Sequence, residues 1–307
     1  MVAMEALCAL FLLLKWARIK WARIVISVEL AGVHMSKAET KTVLITGASS
    51  GIGEATVRLF SRKKWNVLAT MRNPAHAGEL ASLPGVTVLR LDVTDLDSIR
   101  QALSDGIAKH ETIDAVVNNA GYGMVGAFEA SSVEGVERQF ATNVFGLMNV
   151  TREVLPAMRE RQSGVIINIS SVGGRVTFPL YSVYHASKFA VEGFSESLQY
   201  ELRQFNIRVK LIEPGPIKTP FYERSQDLVV KEGLTAYDTF VAKALPQMQK
   251  EGRSAPGPAG VALAVYEAAI DNSYRLRYPV NAEAMLALRR VLPDRAIFKL
   301  VRTILLK

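Results

Sequence analysis

Short apolar runs alternate with longer stretches of helical periodicity along the chain from Lys41 onward. The apolar runs predict seven strands, at Thr42–Thr46, Asn66–Thr70, Thr87–Leu91, Ala115–Asn118, Val165–Ser170, Arg208–Glu213 and Arg277–Val280. The periodic stretches predict helices at Gly53–Lys63, Leu96–Lys109, Val133–Arg161, Ser182–Phe205 and Pro258–Asp271. Continuous apolar strands that alternate with helices are typical of a parallel sheet covered on both faces. We therefore expect a doubly wound α/β fold with seven parallel strands and helices on both faces.

Residues 39–307 are expected to form a single domain, because no composition shift or linker rich in proline and serine divides them. Before them, the apolar run Ala6–Leu14 is too short to span a bilayer, and two tandem copies of Lys-Trp-Ala-Arg-Ile follow it. A basic stretch that contains tryptophan can lie at a membrane interface, which leaves membrane contact through residues 1–34 open. We favour the alternative that residues 1–38 are an extension outside the fold.

Composition and charge exclude several classes of protein. Hydrophobic residues make up 49% of the chain and charged residues 21%, which is typical of a folded domain. The net charge is +8, but the positive excess lies in residues 1–37 and 289–307, and no nucleic-acid-binding motif accompanies it, so we expect no nucleic-acid partner. The only cysteine, Cys8, excludes an intramolecular disulfide, and the four histidines lack metal-ligand spacing, so no metal is expected. A cytoplasmic location is the simplest expectation, with peripheral membrane contact as the alternative.

A glycine-rich turn directly follows the first predicted strand, where Thr46-Gly47-Ala48-Ser49-Ser50-Gly51-Ile52-Gly53 opens a helix. Glycines let the backbone turn sharply and approach a pyrophosphate, and the free N–H groups of a helix start attract its charge. The spacing is Gly-x-x-x-Gly-x-Gly, which differs from the general dinucleotide fingerprint. We expect the phosphate contacts to come from Gly47, Ser49, Ser50, Gly51, Ile52 and Gly53.

Tyr184 and Lys188 lie four residues apart on a predicted helix, so their side chains share one face. A tyrosine titrates near ~10 in water, and a neighbouring ammonium favours the phenolate. The pair therefore suits proton transfer at a substrate oxygen. Ser170 and Ser171 stand at the end of the preceding strand, where a hydroxyl can bond the same oxygen.

Four further motifs follow the glycine turn in order. They are Leu91-Asp92-Val93, Asn118-Asn119-Ala120-Gly121, Asn143-Val144-Phe145-Gly146 and Pro214-Gly215-Pro216-Ile217-Lys218-Thr219. With the turn and the Tyr-x-x-x-Lys pair, they resemble the short-chain dehydrogenase/reductase family over residues 40–220, with a looser fit to about residue 280. The segment from Ser171 through the Ser-Lys-Phe-Ala-Val-Glu-Gly run after Tyr184 resembles the branch with 17-beta-hydroxysteroid and retinol dehydrogenase-like oxidoreductases.

The resemblance implies a Rossmann-type domain that interconverts a carbonyl group and an alcohol. It assigns catalytic roles to Asn143, Ser171, Tyr184 and Lys188, and it selects Ser171 over Ser170. It assigns cofactor contacts to Asp92, Val93, Asn119, Ala120, Gly121, Pro214, Gly215, Ile217 and Thr219, and to Tyr184 and Lys188 as well. It also implies a homo-oligomer that pairs the long helices at 133–161 and 182–205.

The end of the second predicted strand bears on the choice of nicotinamide cofactor. An acidic residue there accepts hydrogen bonds from the ribose hydroxyls and repels a 2′-phosphate. Thr70 stands at the expected place of the acid, and Arg72 follows two residues later, where its guanidinium can bind the phosphate. We therefore expect NADP(H), with an NAD-dependent alcohol dehydrogenase as the alternative.

The predicted substrate site is apolar, with a lid at about 219–250. Its expected lining is Met124, Val125, Phe128, Gly173, Gly174, Phe178, Leu180 and Phe221. A small lipophilic carbonyl compound or alcohol is the expected substrate. His34, His76, His110 and His185 are interpreted as ordinary residues without a role in the site. A non-catalytic nucleotide-sensing scaffold on the same fold is the alternative from another class, and the intact Ser171, Tyr184 and Lys188 argue against it.

Overall fold

The computed structural model describes residues 40–221 and 226–306, so the predicted extension and residues 222–225 of the expected lid lie outside it. Its strands are β1 (Thr42–Ile45), β2 (Asn66–Met71), β3 (Val86–Arg90), β4 (Ala115–Asn118), β5 (Gly123–Val125), β6 (Gly164–Ile169), β7 (Ile207–Pro214), β8 (Gln226–Leu228) and β9 (Arg277–Val280). Seven of them form one parallel sheet in the order β3-β2-β1-β4-β6-β7-β9. β5 and β8 pair separately.

Nine α-helices connect and cover the strands within the described residues. They are α1 (Gly51–Arg62), α2 (Leu96–His110), α3 (Val133–Phe140), α4 (Leu147–Glu160), α5 (Ser182–Leu202), α6 (Asp238–Ser254), α7 (Ala259–Ile270), α8 (Glu283–Val291) and α9 (Asp294–Leu305). None of them combines the length and the hydropathy needed to cross a membrane.

Alternate residues of each strand pack against different helix layers. In β1, Val43 and Ile45 belong to the hydrophobic cluster that also contains Phe60 of α1, whereas Leu44 belongs to the opposite cluster with Ile99 of α2. Successive side chains of a strand point to opposite faces of a sheet, so a strand buried on both faces must be apolar throughout. This arrangement confirms the predicted fold: a doubly wound, single-domain parallel sheet with helices on both faces.

The predicted helix 133–161 is interrupted by one turn of π-helix at Ala141–Gly146, between α3 and α4. Such a turn inserts an extra residue into the helix and is common at functional sites. Here it brings Asn143 against the chain that follows β4, because both polar atoms of its amide bond the backbone of Tyr122. The periodicity of apolar residues continues through the segment, so it gives no sign of this turn.

The C-terminal helices pack beside the loop that follows β6. Ile297, Val301 and Leu305 lie on one face of α9 and are buried in a cluster with Val172 and Val176 of that loop. The sequence pattern predicts no helix in 283–305, yet this segment covers the sheet edge at which the predicted catalytic residues lie.

Candidate active site

The turn between β1 and α1 has the backbone geometry that its glycines predict. Gly47 and Gly51 adopt φ angles of +65° and +59°, a region that other residues rarely adopt. A Cβ atom on Gly53 would lie 2.4 Å from the carbonyl oxygen of Gly47, so only glycine fits there. The Ser50 side chain makes no capping hydrogen bond to α1, which leaves the first N–H groups of the helix available to an anion.

The side chains of Thr46 and Asn119, which directly follow β1 and β4, hold this turn at the centre of the sheet by hydrogen bonds. The Thr46 hydroxyl accepts hydrogen bonds from the backbone N–H groups of Asn119 and Ala120, each at 3.0 Å. In return, the Asn119 amide donates to the carbonyl oxygens of Thr46 and Gly47, at 2.9 and 3.1 Å. A Cβ atom on Gly121 would lie 3.1 Å from Oδ1 of Asn143, so this segment also contacts the π-helical turn.

The turn after β7 lies beside the glycine turn. A Cβ atom on Gly51 would be 3.4 Å from Cβ of Thr219, so these two predicted cofactor residues are neighbours. Gly215 has no room for a side chain, since its Cβ would lie 2.0 Å from the carbonyl oxygen of Asn281. Pro214 ends β7, and Ile217 directs its side chain into the core, so any cofactor contact of Ile217 is through its backbone.

Asp92 and Val93, which are expected to contact the cofactor, each make a different contact within the protein. Oδ1 of Asp92 accepts hydrogen bonds from both the N–H and the hydroxyl of Thr94, which closes a local turn. Val93 is buried, and a Cβ atom on Gly146 would lie only 2.7 Å from its side chain. Gly146 therefore allows the π-helical turn to pack directly on Val93.

The end of β2 differs in one respect from the sequence interpretation. Thr70 is fully buried, and its hydroxyl donates to the carbonyl oxygen of Ile45 at 3.0 Å, so its side chain does not face a ribose site. Met71 ends the strand and is also buried, whereas Arg72 is exposed directly after it. Residues 70–72 still contain no acid, but the position that faces the edge of the sheet is Arg72 and not Thr70.

Ser171, Tyr184 and Lys188 meet at the carboxyl end of β6. The Ser171 hydroxyl is hydrogen-bonded to the Tyr184 phenol, and Nζ of Lys188 lies 5.8 Å from the centre of the Tyr184 ring. Lys188 is buried and donates a hydrogen bond of 2.8 Å to the carbonyl oxygen of Ile169, at the end of the strand. The adjacent Ser170 is also buried, but it lies on the other side of the strand end, near Glu192.

Asn143 is 2% exposed and joins the π-helical turn to this group. Its amide nitrogen donates to the carbonyl oxygen of Tyr122 at 2.9 Å and to the hydroxyl of Ser187 at 3.1 Å, and its oxygen accepts from the Tyr122 N–H. Ser187 directly precedes Lys188. Asn143 therefore connects the backbone of Tyr122 to the residue before Lys188.

Burial dominates the electrostatics of the group. It lowers the pKa of Lys188 to about 8, although the nearby charge of Glu192 opposes this change. Burial also raises the pKa of Tyr184 above its usual value, and the hydrogen bond to Ser171 only partly offsets it. The expected stabilisation of the phenolate by Lys188 is therefore outweighed in this structure by desolvation of the phenol.

The sequence analysis does not predict the pair of buried carboxylates that lies behind Lys188. Glu192 of α5 and Glu213 of β7 are 4% and 2% exposed, and Arg277 of β9 lies 3.1 Å and 3.4 Å from them. Burial and the charge of Glu192 raise the pKa of Glu213 to about 7, against the opposing effect of Arg277. Arg277 lies far from both carboxylates in the sequence, so no local pattern predicts this pairing.

The apolar lining of the site is partly as predicted. Leu180 and Val125 are buried in one cluster with Tyr181, and the Tyr184 and Phe221 rings are 5.9 Å apart. The cluster also contains Ala244 and Met248 of α6, which lie within the expected lid, and Leu306, which the sequence analysis does not predict there. By contrast, the Phe128 side chain is 63% exposed, and Phe178 packs against the cluster of α9.

Comparisons with known proteins agree with this arrangement. A family model described as short chain dehydrogenase matches residues 41–228. The 3-ketodihydrosphingosine reductase of Bacteroides thetaiotaomicron is 38% identical over 228 residues, 74% of this chain and 82% of that protein. Human retinol dehydrogenase 8 (Homo sapiens) is 44% identical over 193 residues, 60% of this chain and 61% of that protein. A short-chain dehydrogenase from Streptomyces avermitilis superposes with a TM-score of 0.75 at 33% identity, covering 86% of this chain and 96% of that one.

The burial of Lys188 predicts a distinctive pH dependence of stability. Lysine titrates near 10.5 in the unfolded chain and at about 8 in the folded protein, so the unfolded state binds the extra proton between these values. The free energy of unfolding should therefore rise with pH across this window, by up to about 1.4 kcal/mol per pH unit. Lys188→Met should remove this rise, as measured by urea unfolding of both proteins. If the free energy of unfolding changed equally with pH in the two proteins, the lowered pKa of Lys188 would be contradicted.

Proposed function

We propose that this protein, which belongs to the short-chain dehydrogenase/reductase family of oxidoreductases, interconverts a carbonyl group and an alcohol with NADP(H). One observation carries the proposal: the hydrogen-bonded Ser171 and Tyr184 lie over the buried Lys188 at the same sheet edge as the glycine turn. A hydroxyl, a phenol and an ammonium at one place can bind, protonate and stabilise a single substrate oxygen.

The residues around the glycine turn suit a dinucleotide. Two left-handed glycines, the uncapped start of α1 and the neighbouring Thr219 form a backbone cradle in which a Cβ at Gly53 would not fit. Gly47 and Gly51 would allow the pyrophosphate to approach, and Thr219 would hold the nicotinamide amide. When bound, the nicotinamide supplies or accepts the hydride, and the protein supplies orientation and proton transfer.

Tyr184 is the proposed general acid and base. In the reductive direction its hydroxyl protonates the carbonyl oxygen, while Ser171 donates a hydrogen bond to the same oxygen. In the oxidative direction the phenolate takes the alcohol proton. Lys188 favours that phenolate by its charge, and Asn143 positions Lys188 through Ser187. The raised pKa of Tyr184 keeps the phenol protonated at neutral pH, which suits reduction.

The proposed preference for NADP(H) depends on Arg72. Its guanidinium is exposed directly after β2, at the edge where the adenosine ribose of a dinucleotide binds in doubly wound folds. Residues 70–72 offer no carboxylate to repel a 2′-phosphate. A charge-assisted bond from the guanidinium would favour the phosphorylated cofactor.

The proposed substrate is apolar and larger than a short hydroxy acid. Leu180, Val125 and Phe221 lie around Tyr184, and α6 adds Ala244 and Met248. Surfaces of this kind gain about 25 cal/mol per Å² of apolar area removed from water. Similarity to a retinol dehydrogenase and to a 3-ketodihydrosphingosine reductase supports a lipophilic substrate.

Tyr184→Phe tests the proposed acid. The change removes one hydroxyl, so turnover of a carbonyl substrate should fall by at least ~10²-fold while the Kd for NADPH stays nearly unchanged. Turnover is followed by NADPH absorbance and Kd by fluorescence titration. Tyr200→Phe on the exposed surface of α5 is the control and should retain full turnover. Equal turnover by the Tyr184→Phe protein would exclude Tyr184 as the acid.

Arg72→Ala tests the cofactor preference. The parent protein should bind NADPH more tightly than NADH, and the substitution should narrow that difference by about 1–2 kcal/mol through loss of a charge-assisted bond. The measurement is a titration of both proteins with both cofactors. Arg152→Ala, an exposed arginine of α4, should leave the preference unchanged. Equal affinities in the parent protein would instead support the NAD-dependent alternative.

A ketone series tests the proposed substrate class. The value of kcat/KM should rise as apolar substituents lengthen, because each added methylene buried against the lining contributes up to ~0.8 kcal/mol. Matched keto acids of the same length should react more slowly. A flat series would contradict an apolar substrate site, and a preference for the keto acids would show that a charged group in the site orients the substrate.

A further inference from the structure

His185, the residue after Tyr184, makes two hydrogen bonds to the loop between Ser171 and Tyr184. Its ring is 4% exposed. Nδ1 lies 2.9 Å from the carbonyl oxygen of Gly173, and the N–H of Phe178 donates to Nε2 at 2.9 Å. The His185 side chain therefore bridges two separate points of this loop, a pair of contacts that the sequence does not predict.

These two contacts are compatible with only one form of the imidazole. A backbone N–H can only donate, so Nε2 must present its lone pair to Phe178. Nδ1 must then carry the hydrogen that bonds the carbonyl oxygen of Gly173. Protonation of both nitrogens would place an N–H of the ring against the N–H of Phe178. Burial lowers the pKa of His185 to about 4, which keeps the neutral ring in place at neutral pH.

Gly173 connects His185 to the Ser171 hydroxyl. The N–H of Gly173 donates to Oγ of Ser171 at 3.0 Å, so the hydroxyl hydrogen of Ser171 remains free to donate elsewhere. A Cβ atom on Gly173 would lie 2.5 Å from Nδ1 of His185, so the ring occupies the space that a side chain would fill. His185 thus holds the carbonyl group of Gly173, while the N–H of Gly173 orients the Ser171 hydroxyl.

The other end of the loop is held as well. The carbonyl oxygen of Leu180 accepts a 2.8 Å hydrogen bond from the N–H of Gly126, and the Phe178 ring lies 5.7 Å from the ring of His185. The His185 ring also lies 5.7 Å from that of Tyr184. His185 therefore stands at the centre of the loop that carries both Ser171 and part of the apolar lining.

We propose that His185 is a positioning residue, whose neutral imidazole holds residues 172–181 so that the Ser171 hydroxyl stays aimed at the oxygen on which Tyr184 acts. This role rests on the proposed function. It differs from a general contribution to folding, because both hydrogen bonds end between residues 172 and 181 and neither ends on the sheet or on another α-helix.

Two substitutions separate this role from stability alone. The neutral ring has a donor nitrogen and an acceptor nitrogen, and a glutamine amide likewise has a donor nitrogen and an acceptor oxygen. His185→Gln can therefore restore both bonds, whereas His185→Leu restores neither. For the folded fraction, the leucine variant should lower kcat by at least about tenfold without changing the Kd for NADPH, because a misaligned donor loses transition-state stabilisation. The glutamine variant should recover most of that loss.

Ser195→Ala is the matched control, since Ser195 is buried on the same helix and accepts a hydrogen bond from Asn168, away from the loop. It should lower the melting temperature but keep the parent kcat. If the leucine variant does not fold, His185→Phe replaces it, because a ring without polar atoms also makes neither bond and should cause the same loss of kcat. Full kcat in folded His185→Leu or His185→Phe protein would overturn the proposal.

Hydrogen exchange of the Phe178 amide tests the positioning role independently of activity. This N–H should exchange faster in His185→Leu than in the parent protein and should be protected again in His185→Gln. Unchanged exchange would overturn the role of His185 whatever the activity. A parent protein that turns over no carbonyl compound would instead overturn the proposed function, while the exchange experiment would still decide whether His185 holds the loop.

Discussion

Thr46 and Asn119 tie the end of β1 to the end of β4, and the candidate site is arranged around this connection. Their side chains exchange four hydrogen bonds with the backbone of the two segments, all between 2.9 and 3.1 Å. A buried backbone polar group without a partner costs free energy, and here the turn of the chain leaves several of them without sheet partners. The two side chains satisfy these groups and so fix the glycine turn beside the segment that leads to Asn143 and Tyr184.

Several charged side chains are buried at the same edge of the sheet. Lys188 and Glu192 of α5 and Glu213 near the end of β7 are all buried, and Arg277 of the last strand pairs with both carboxylates. Removing one partner of such a group would leave a buried charge without compensation, which is strongly destabilising. The strand β9 therefore does more than complete the sheet, because it brings the guanidinium that pairs with the two carboxylates behind Lys188.

Local patterns in the sequence predict the parallel sheet, whereas Ser171, Asn143 and Thr219 are expected at its edge because the chain resembles a known family. Apolar runs mark buried strands, and the spacing of Tyr184 and Lys188 follows from the helix period. The features that were missed depend on contacts between distant segments. The π-helical turn places Asn143 against Tyr122, the His185 ring bonds the loop before α5, and the Thr70 hydroxyl bonds Ile45 of the neighbouring strand β1. The C-terminal helices reach the site through Leu306, which no local pattern relates to Tyr184.

The transfer of deuterium from labelled cofactor tests the central proposal most directly. The protein would be incubated with NADPH that carries deuterium at the transferable position of the nicotinamide and with an apolar ketone, and the product would be analysed by mass spectrometry. We expect an alcohol with one deuterium on the carbinol carbon, formed by the parent protein and lost in Tyr184→Phe. An alcohol without deuterium at that carbon, or the absence of any reduced product across a series of apolar ketones, would contradict hydride transfer at this site.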